Sequence, residues 1–169
     1  GLNPYTCLAT VNRAAFSLLY ESLFVVSGEF RAVPQLCQTF RVSEDATTYY
    51  FTLVPGVTFS DGTLLTAQDV VASIQAARGS GIYKGRLSHI YDISAEADGT
   101  IIVVLDTPYE NFAPMLDIPV VKAESVEADI PTGSGPYYLK GTMLVRNPKW
   151  VETVPLAVDA TEIPLTPAE

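Results

Sequence analysis

Hydrophobic and polar side chains alternate along residues 48–54, where Tyr49, Phe51 and Leu53 share one face. A period of two residues is typical of a β-strand. Both faces of this segment are bulky, so we expect the strand to be covered on both sides of its sheet. Shorter apolar runs predict further strands at residues 23–26, 35–43, 118–121, 136–140 and 142–145.

A predicted hairpin is centred on residues 101–105 (IIVVL), which have no polar face and therefore indicate a central strand. Asp98-Gly99 and a second strand candidate at residues 89–97 come before it. Since Asp-Gly is a strong turn signal between two apolar segments, the pattern predicts a two-residue turn.

Spacings of three and four residues predict two main helices. The stronger one covers residues 66–78, where Thr66 and Asp69 form a capping pair at the N terminus and Gly79 follows the end. The weaker one has its apolar face at Val11, Ala14, Ala15 and Leu18, with Thr10 or Asn12 as its cap. Residues 111–116 predict a short third helix. These elements together predict a strand-rich α+β domain.

The composition limits the partners that this domain can have. The chain has 169 residues, of which 48% are hydrophobic, which suits one domain or part of a larger one and excludes a disordered tail. Nineteen acidic residues against ten basic ones give a formal net charge of −9. Such a surface repels phosphate backbones and anionic lipids, so we expect no nucleic-acid partner.

Side chains that carry catalytic chemistry are scarce. His89 is the only histidine, and its place at the start of a predicted strand favours a partly exposed strand-edge residue over a catalytic base. Cys7 and Cys37 are too few for a zinc site, and they predict two small buried thiols or, in an exported protein, a single disulfide. Gly133 and Gly135 lack the lysine and the spacing of a phosphate loop. We therefore predict no catalytic residue, no metal site and no cofactor.

Four motifs, in order along the chain, resemble those of one family. It is the family-5 extracellular solute-binding proteins, the peptide and nickel receptors of ABC importers. The longest motif is residues 50–71 (YFTLVPGVTFSDGTLLTAQDVV). The others are residues 2–4 (LNP) followed by 20–23 (YESL), residues 133–137 (GSGPY) and residues 146–150 (RNPKW).

This resemblance implies the first lobe of a two-lobe, class II periplasmic-binding-protein-like fold, α+β with a mixed sheet. Residues 1–150 would form most of this lobe without its first strand, and residues 151–169 an extended, proline-containing tail toward a second lobe that this chain lacks. A sheet that lacks one strand exposes unpaired edge groups, which favours self-association through an edge strand.

The resemblance also implies a function. The chain would be the extracellular substrate-binding component of an ABC importer, holding peptides in a cleft between two lobes. Its partners would be a peptide or small-molecule ligand and the membrane permease, and its location extracellular or periplasmic, with a lipid anchor on a removed N-terminal segment. As an alternative, the same fold occurs as the ligand-sensing domain of transcription regulators, and the codons upstream of Gly1 would discriminate between the two.

Five residues are candidate ligand contacts by this resemblance. They are Asn3 and Tyr5, which follow the missing first strand, Tyr83 in the loop after the 66–78 helix, and Pro119 and Val120 at the end of a predicted strand. Tyr83 is the strongest candidate, because a large aromatic side chain in a flexible loop has little folding reason to be there. On this hypothesis, Tyr83→Ala weakens ligand binding without lowering the melting temperature.

Overall fold

The computed structural model describes residues 1–153 and 160–165 and shows an α+β fold. Its helices are α1 Thr10–Arg13, α2 Phe16–Leu19 and α3 Ala67–Arg78, with 3₁₀ turns at Ala113–Leu116 and Ala123–Ser125. Its strands are β1 Phe24–Val26, β2 Ala32–Pro34, β3 Cys37–Val42, β4 Thr48–Leu53, β5 Ile90–Ala95, β6 Ile101–Leu105, β7 Tyr137–Lys140, β8 Met143–Arg146 and β9 Glu162–Pro164. Within the described residues, no helix is both long and apolar enough to cross a membrane.

The strands form three sheets, with orders β1-β2, β3-β4-β6-β5 and β7-β8-β9. Every pairing between described strands is antiparallel, so the parallel part of a mixed sheet does not occur in residues 1–153 and 160–165. β4 and β6 are the inner strands of the largest sheet, which confirms the predicted central position of β6.

One face of the largest sheet carries the core. Tyr49 and Phe51 of β4 are fully buried, and Ile101 and Val103 of β6 lie beside them. The other face of β4, which includes Tyr50 and Thr52, is only half-buried. The expected cover on both sides of this strand is therefore wrong: on the second face the Tyr50 ring lies under the guanidinium of Arg41, 3.7 Å from the ring centre, and no core of the described residues covers it.

The loop between β5 and β6 is longer than predicted. The hairpin is confirmed, with Ala95 opposite Ile101, but the Glu96 N–H donates to the carbonyl of Thr100. Three residues, 97–99, therefore close the loop instead of two, and Gly99 takes the left-handed conformation (φ 88°) that such a turn needs.

Helix α3 follows the prediction closely. The N–H of Thr66 donates to Asp69 Oδ2 at 2.8 Å, which gives the helix its capping box. Val70, Ile74 and Ala77 are buried and face the sheet, where α3 packs against β5 and β6. The second oxygen of Asp69 accepts from the N–H of Ala123 at 2.9 Å, so the cap also fastens a distant loop.

The predicted helix at residues 11–18 is wrong as a single element. It is split into α1 and α2, two helices of four residues each. Val11 is 56% exposed, whereas Asn12 is buried and donates to the carbonyl of Gly1 instead of capping a helix. Ala15 is buried as predicted, but Phe16 and Leu19 are buried instead of Ala14 and Leu18, because the chain breaks between the two helices.

Two further differences concern strands. Residues 118–121 form no ladder and make only isolated bridges, Glu21 with Val120 and Val121 with Gly133. β2 was not expected, since it has only three residues and ends in Pro34. Within residues 151–169, for which an extended tail was predicted, β9 pairs with β8, while residues 154–159 and 166–169 lie outside the described part.

A close contact of two backbones fixes the N-terminal segment. Residues 133–135 pass directly over the carbonyls of Leu18 and Leu19, and the Gly135 N–H donates to the Leu19 carbonyl at 3.0 Å. A Cβ atom on Gly133 would lie 2.1 Å from the Leu19 oxygen, and one on Gly135 would lie 2.4 Å from the Leu18 oxygen. The glycines of the GSGPY motif therefore serve this contact.

Candidate functional site

A groove of about 280 Å³ opens where α1, α2 and β1 meet the loops around residues 83 and 117. We call it the Tyr83 groove. Two of the five predicted ligand contacts, Tyr83 and Pro119, line it together. Its other lining residues are Arg13, Phe16, Ser17, Tyr20, Ser22, Val25, Gln35, Arg86 and Asp117.

Tyr83 is a structural residue of the groove wall. Its side chain is 4% exposed, its ring lies edge-on to the ring of Tyr5 at 6.5 Å, and its hydroxyl accepts from Arg13 Nη2 at 3.1 Å. The loop that carries it is anchored by Ser80, whose buried hydroxyl donates to the carbonyl of Tyr5. The expectation that Tyr83 has little folding reason to be there is therefore wrong.

Two arginines flank Tyr83 in this acidic protein. The guanidinium carbons of Arg13 and Arg86 lie 5.7 Å and 5.4 Å from the centre of the Tyr83 ring, within the range of cation–π attraction. Arg13 is also held by the carbonyl of Cys7, which accepts from its Nη1 at 3.1 Å. Arg86 is exposed, with one donor engaged by the carbonyl of Asp117 at 2.9 Å. The exposed arginine thus keeps further donors for a ligand.

Asp117 brings a negative charge to the same groove. Its Oδ2 accepts from the N–H of Val26 at 3.3 Å, and the side chain is half-buried. Burial raises the pKa of this carboxyl, while the hydrogen bond from Val26 and the charge of Arg86 act in the opposite direction. The groove consequently offers both signs of charge around an aromatic wall.

Tyr5 and Pro119 are connected directly. The buried hydroxyl of Tyr5 donates to the carbonyl of Pro119 at 2.5 Å, and burial raises the pKa of that hydroxyl. Tyr5 therefore supports the groove from behind through Tyr83 and Pro119. Val120 is 1% exposed, and its N–H donates to the carbonyl of Glu21 at 2.8 Å, which makes it a core residue at this position.

Asn3 lies on a different surface, a broader groove between α3 and residues 126–129 that Tyr5 also borders. Its Nδ2 donates to the carbonyls of Val126 and Ala128, both at 2.8 Å, and its Oδ1 accepts from the Tyr5 N–H. With these contacts its amide is already occupied by the fold. The structure thus brings Tyr5, Tyr83 and Pro119 together, while Asn3 contacts Tyr5 but does not line the Tyr83 groove.

Sequence reasoning missed Arg13, Arg86 and Asp117. Arg13 lies in a helix whose break was not predicted, and Asp117 was grouped with no motif. The spacing of Arg86, three residues after Tyr83, was a usable signal, because both lie in one loop beside α3. Positive side chains are scarce in this acidic chain, and that scarcity could have drawn attention to Arg13 and Arg86.

Groups capable of catalysis or metal binding are dispersed. His89 is exposed immediately before β5 and pairs with Asp106, with Nδ1 and Oδ1 3.0 Å apart. Among the described residues, no three His, Cys, Asp or Glu side chains are close enough to hold a metal ion. Cys7 and Cys37 are both free thiols, Cys37 buried and Cys7 half-buried, and burial raises the pKa of Cys37 to about 11.

Known proteins share both the sequence and the fold. Protein XP55 of Streptomyces lividans is 32% identical over 74% of this chain and 25% of its own length. The probable peptide ABC transporter periplasmic-binding protein y4tO of Sinorhizobium fredii is 31% identical over 80% of this chain and 27% of its own length. The chain thus spans about a quarter of the length of these relatives.

A solved structure resembles the fold as well. NikZ from Campylobacter jejuni, in complex with Ni(L-His), superposes with a TM-score of 0.74 at 23% identity, over 89% of this chain and 34% of that one. The family described as bacterial extracellular solute-binding proteins, family 5 Middle, matches residues 31–165, which is most of the chain. The chain belongs to the family-5 extracellular solute-binding proteins.

Proposed function

We propose that this chain is the first lobe of a solute receptor for an ABC importer, and that the Tyr83 groove is its half of a ligand site. Residues 1–150 make up this lobe, and the residues after 150 lead toward a second lobe that closes over the ligand. The observation that carries the proposal is the groove itself, in which Tyr83, Arg86 and Asp117 meet on one open face of a family-5 protein.

The chemistry of the groove supports a peptide ligand. A peptide carries a positive and a negative terminus, and its main chain both donates and accepts hydrogen bonds. Arg86 and Asp117 offer opposite charges at the same opening, while Val25 and Phe16, which also line it, offer apolar surface. The relative y4tO carries the name of a probable peptide-binding protein, which points in the same direction.

Of the predicted contacts, Tyr83 and Pro119 are proposed to border the ligand, and Tyr5 to hold them in place. Asn3 and Val120 have no place in this proposal, since the amide of Asn3 is engaged elsewhere and Val120 is buried. The importer permease in the membrane is the proposed macromolecular partner, and the proposed location is outside the cytoplasmic membrane with a lipid anchor. The alternative of a transcription-regulator sensor gains no support from the relatives.

The experiment is mass spectrometry of molecules that co-purify with the full polypeptide carrying this segment, followed by calorimetry with the ligand found. We expect a peptide, and we expect Arg86→Ala to weaken its binding about tenfold, or ~1.4 kcal/mol. Lys84→Ala is the matched control, because Lys84 is an exposed cation in the same loop outside the groove lining. An Arg86→Ala variant with unchanged affinity would remove this groove from the ligand site.

The chain of 169 residues offers a second measurement. If the ligand is held between two lobes, this lobe alone makes only part of the contacts and binds peptides weakly. Micromolar binding of the co-purified ligand to the isolated chain in calorimetry would contradict the two-lobe arrangement.

A further inference from the structure

A buried carboxylate lies behind the Tyr83 groove. Glu21 is 1% exposed, and its neighbours in sequence, Tyr20 and Ser22, both line the groove. Its own side chain points to the opposite side, away from the groove lining. There it meets residues from two of the other sequence motifs, GSGPY and RNPKW, and one residue beyond them.

Three neutral donors share this carboxylate. The hydroxyl of Ser134 donates to Oε1 at 3.0 Å, and the indole Nε1 of Trp150 donates to Oε2 at 3.3 Å. The hydroxyl of Thr153 donates to Oε2 at 2.5 Å. Both oxygens are therefore engaged, and two of the three donors belong to residues 150–153, which we call the exit segment.

The charged groups on the neighbouring elements point elsewhere. Arg146 lies over the ring of Tyr137 at 5.7 Å, and Lys122 pairs with Asp61. Lys149 extends toward Gly62 on the other side of the motif, and Glu152 of the exit segment is exposed. The side chains that contact the Glu21 carboxylate, Ser134, Trp150 and Thr153, are all uncharged.

A buried carboxyl whose described contacts are all uncharged lowers the stability of the fold when it ionises, because it loses water without gaining an opposite charge. Burial raises the pKa of Glu21, against the hydrogen bonds from Thr153, Ser134 and Trp150. A neutral amide or an apolar cluster would join the same segments at a lower cost in stability. Residues with such a cost often have a role beyond folding.

We propose that Glu21 is a positioning residue that couples the wall of the Tyr83 groove to the exit segment. Tyr20 and Ser22 are the chain neighbours of Glu21. A movement of Trp150 and Thr153 therefore displaces the groove wall, and ligand contact at the wall displaces the exit segment. The coupling itself needs no ligand. Its consequence for affinity rests on the proposed function, in which the exit segment leads to the second lobe.

The first test measures the coupling on the chain itself by NMR. Trp150 is the only tryptophan, so its indole N–H gives one resonance. The groove reporter is the side-chain amide of Gln35, whose Oε1 accepts from the Ser22 N–H at 2.8 Å. We expect both resonances to shift with pH at one shared midpoint, and both shifts to be lost in Glu21→Gln.

Two further variants separate coupling from mere proximity. Trp150→Phe removes one donor without changing any charge, and we expect it to move the Gln35 amide resonance as well. Glu152→Gln is the matched control, because it removes a carboxylate from the same segment at an exposed position. The proposal is overturned if the Gln35 amide resonance is the same in the parent, Glu21→Gln and Trp150→Phe proteins. This holds even if the indole resonance of Trp150 shifts with pH.

The second test measures affinity in the full polypeptide with the ligand identified by mass spectrometry. We expect Trp150→Phe to weaken binding about tenfold and Glu152→Gln to leave it unchanged. If the parent, Trp150→Phe and Glu152→Gln proteins bind the ligand with equal affinity, the role of Glu21 in ligand binding is refuted. Failure to find any ligand would instead count against the proposed function, while the NMR result would still decide whether the coupling exists.

Discussion

Replacing Tyr83 by alanine separates its structural role from a ligand role, and the structure predicts a large loss of stability. The side chain is 4% exposed, packs against Tyr5 and accepts a hydrogen bond from Arg13. Truncating a buried aromatic residue to alanine typically costs ~3–5 kcal/mol, because transfer free energy is lost and a cavity remains. For a domain of this size, 1 kcal/mol lowers the melting temperature by about 2–4 °C. We therefore expect Tyr83→Ala to melt about 6–20 °C lower.

The assay is thermal and urea-induced unfolding of the chain, with Tyr91→Ala as a matched control. Tyr91 is 73% exposed, so its truncation should stay within about 0.5 kcal/mol of the parent. Tyr83→Phe keeps the ring and removes only the hydroxyl that Arg13 contacts, and we expect it to cost about 1–2 kcal/mol. This milder variant is the one that suits a ligand-binding measurement. A Tyr83→Ala protein as stable as the Tyr91→Ala control would refute the packing argument.

Three other changes test separate parts of the fold. Gly133→Ala should prevent folding or lower the melting temperature strongly, because the added methyl group would overlap the carbonyl oxygen of Leu19. Gly85→Ala is the control and should be tolerated, because Gly85 has open space around it. Circular dichroism compares the two variants. Partial burial acts to raise the pKa of Asp61, but hydrogen bonds outweigh it, chiefly that from Lys122, and lower the pKa to about 2. The stability that Asp61 adds is thus present above its unfolded pKa, about 3.9, and is lost as the pH falls toward 2. In urea unfolding, the free energies of unfolding of the parent and of Asp61→Asn should therefore converge below pH 3. Cys37 should resist alkylation at pH 8 until the protein is denatured, as mass spectrometry of labelled protein would show, because its thiol is buried.

Local signals in the sequence were sufficient for much of the scaffold. The capping pair of α3, the alternation of β4 and the apolar run of β6 each act over a few neighbouring residues, so their outcome does not depend on distant parts of the chain. The family resemblance came from such segments as well, and it is confirmed by the family match over residues 31–165.

The parts that could not be predicted depend on contacts between distant residues. α1 and α2 are separated because Asn12 turns inward to the carbonyl of Gly1, which no helical spacing indicates. Tyr83 was expected to have little folding role because it lies in a loop, but it packs against Tyr5, 78 positions earlier in the chain. A groove assembled from several loops has no periodicity, so the sequence pointed to Tyr83 and Pro119 without their charged neighbours.

The passage of residues 133–135 over the Leu18–Leu19 backbone has a consequence for synthesis of the chain. Glu21 and Ser134 are 113 positions apart, so at about 5–20 residues per second the ribosome needs roughly 6–23 s to supply the partner of the earlier segment. Until then, the carbonyls of Leu18 and Leu19 lack the backbone that packs over them, although Tyr5 and Arg13 can already contact residues 80–83. The backbone around Leu18 and Leu19 therefore reaches its final packing late, and a nascent chain interrupted before residue 133 leaves this stretch more open to proteases.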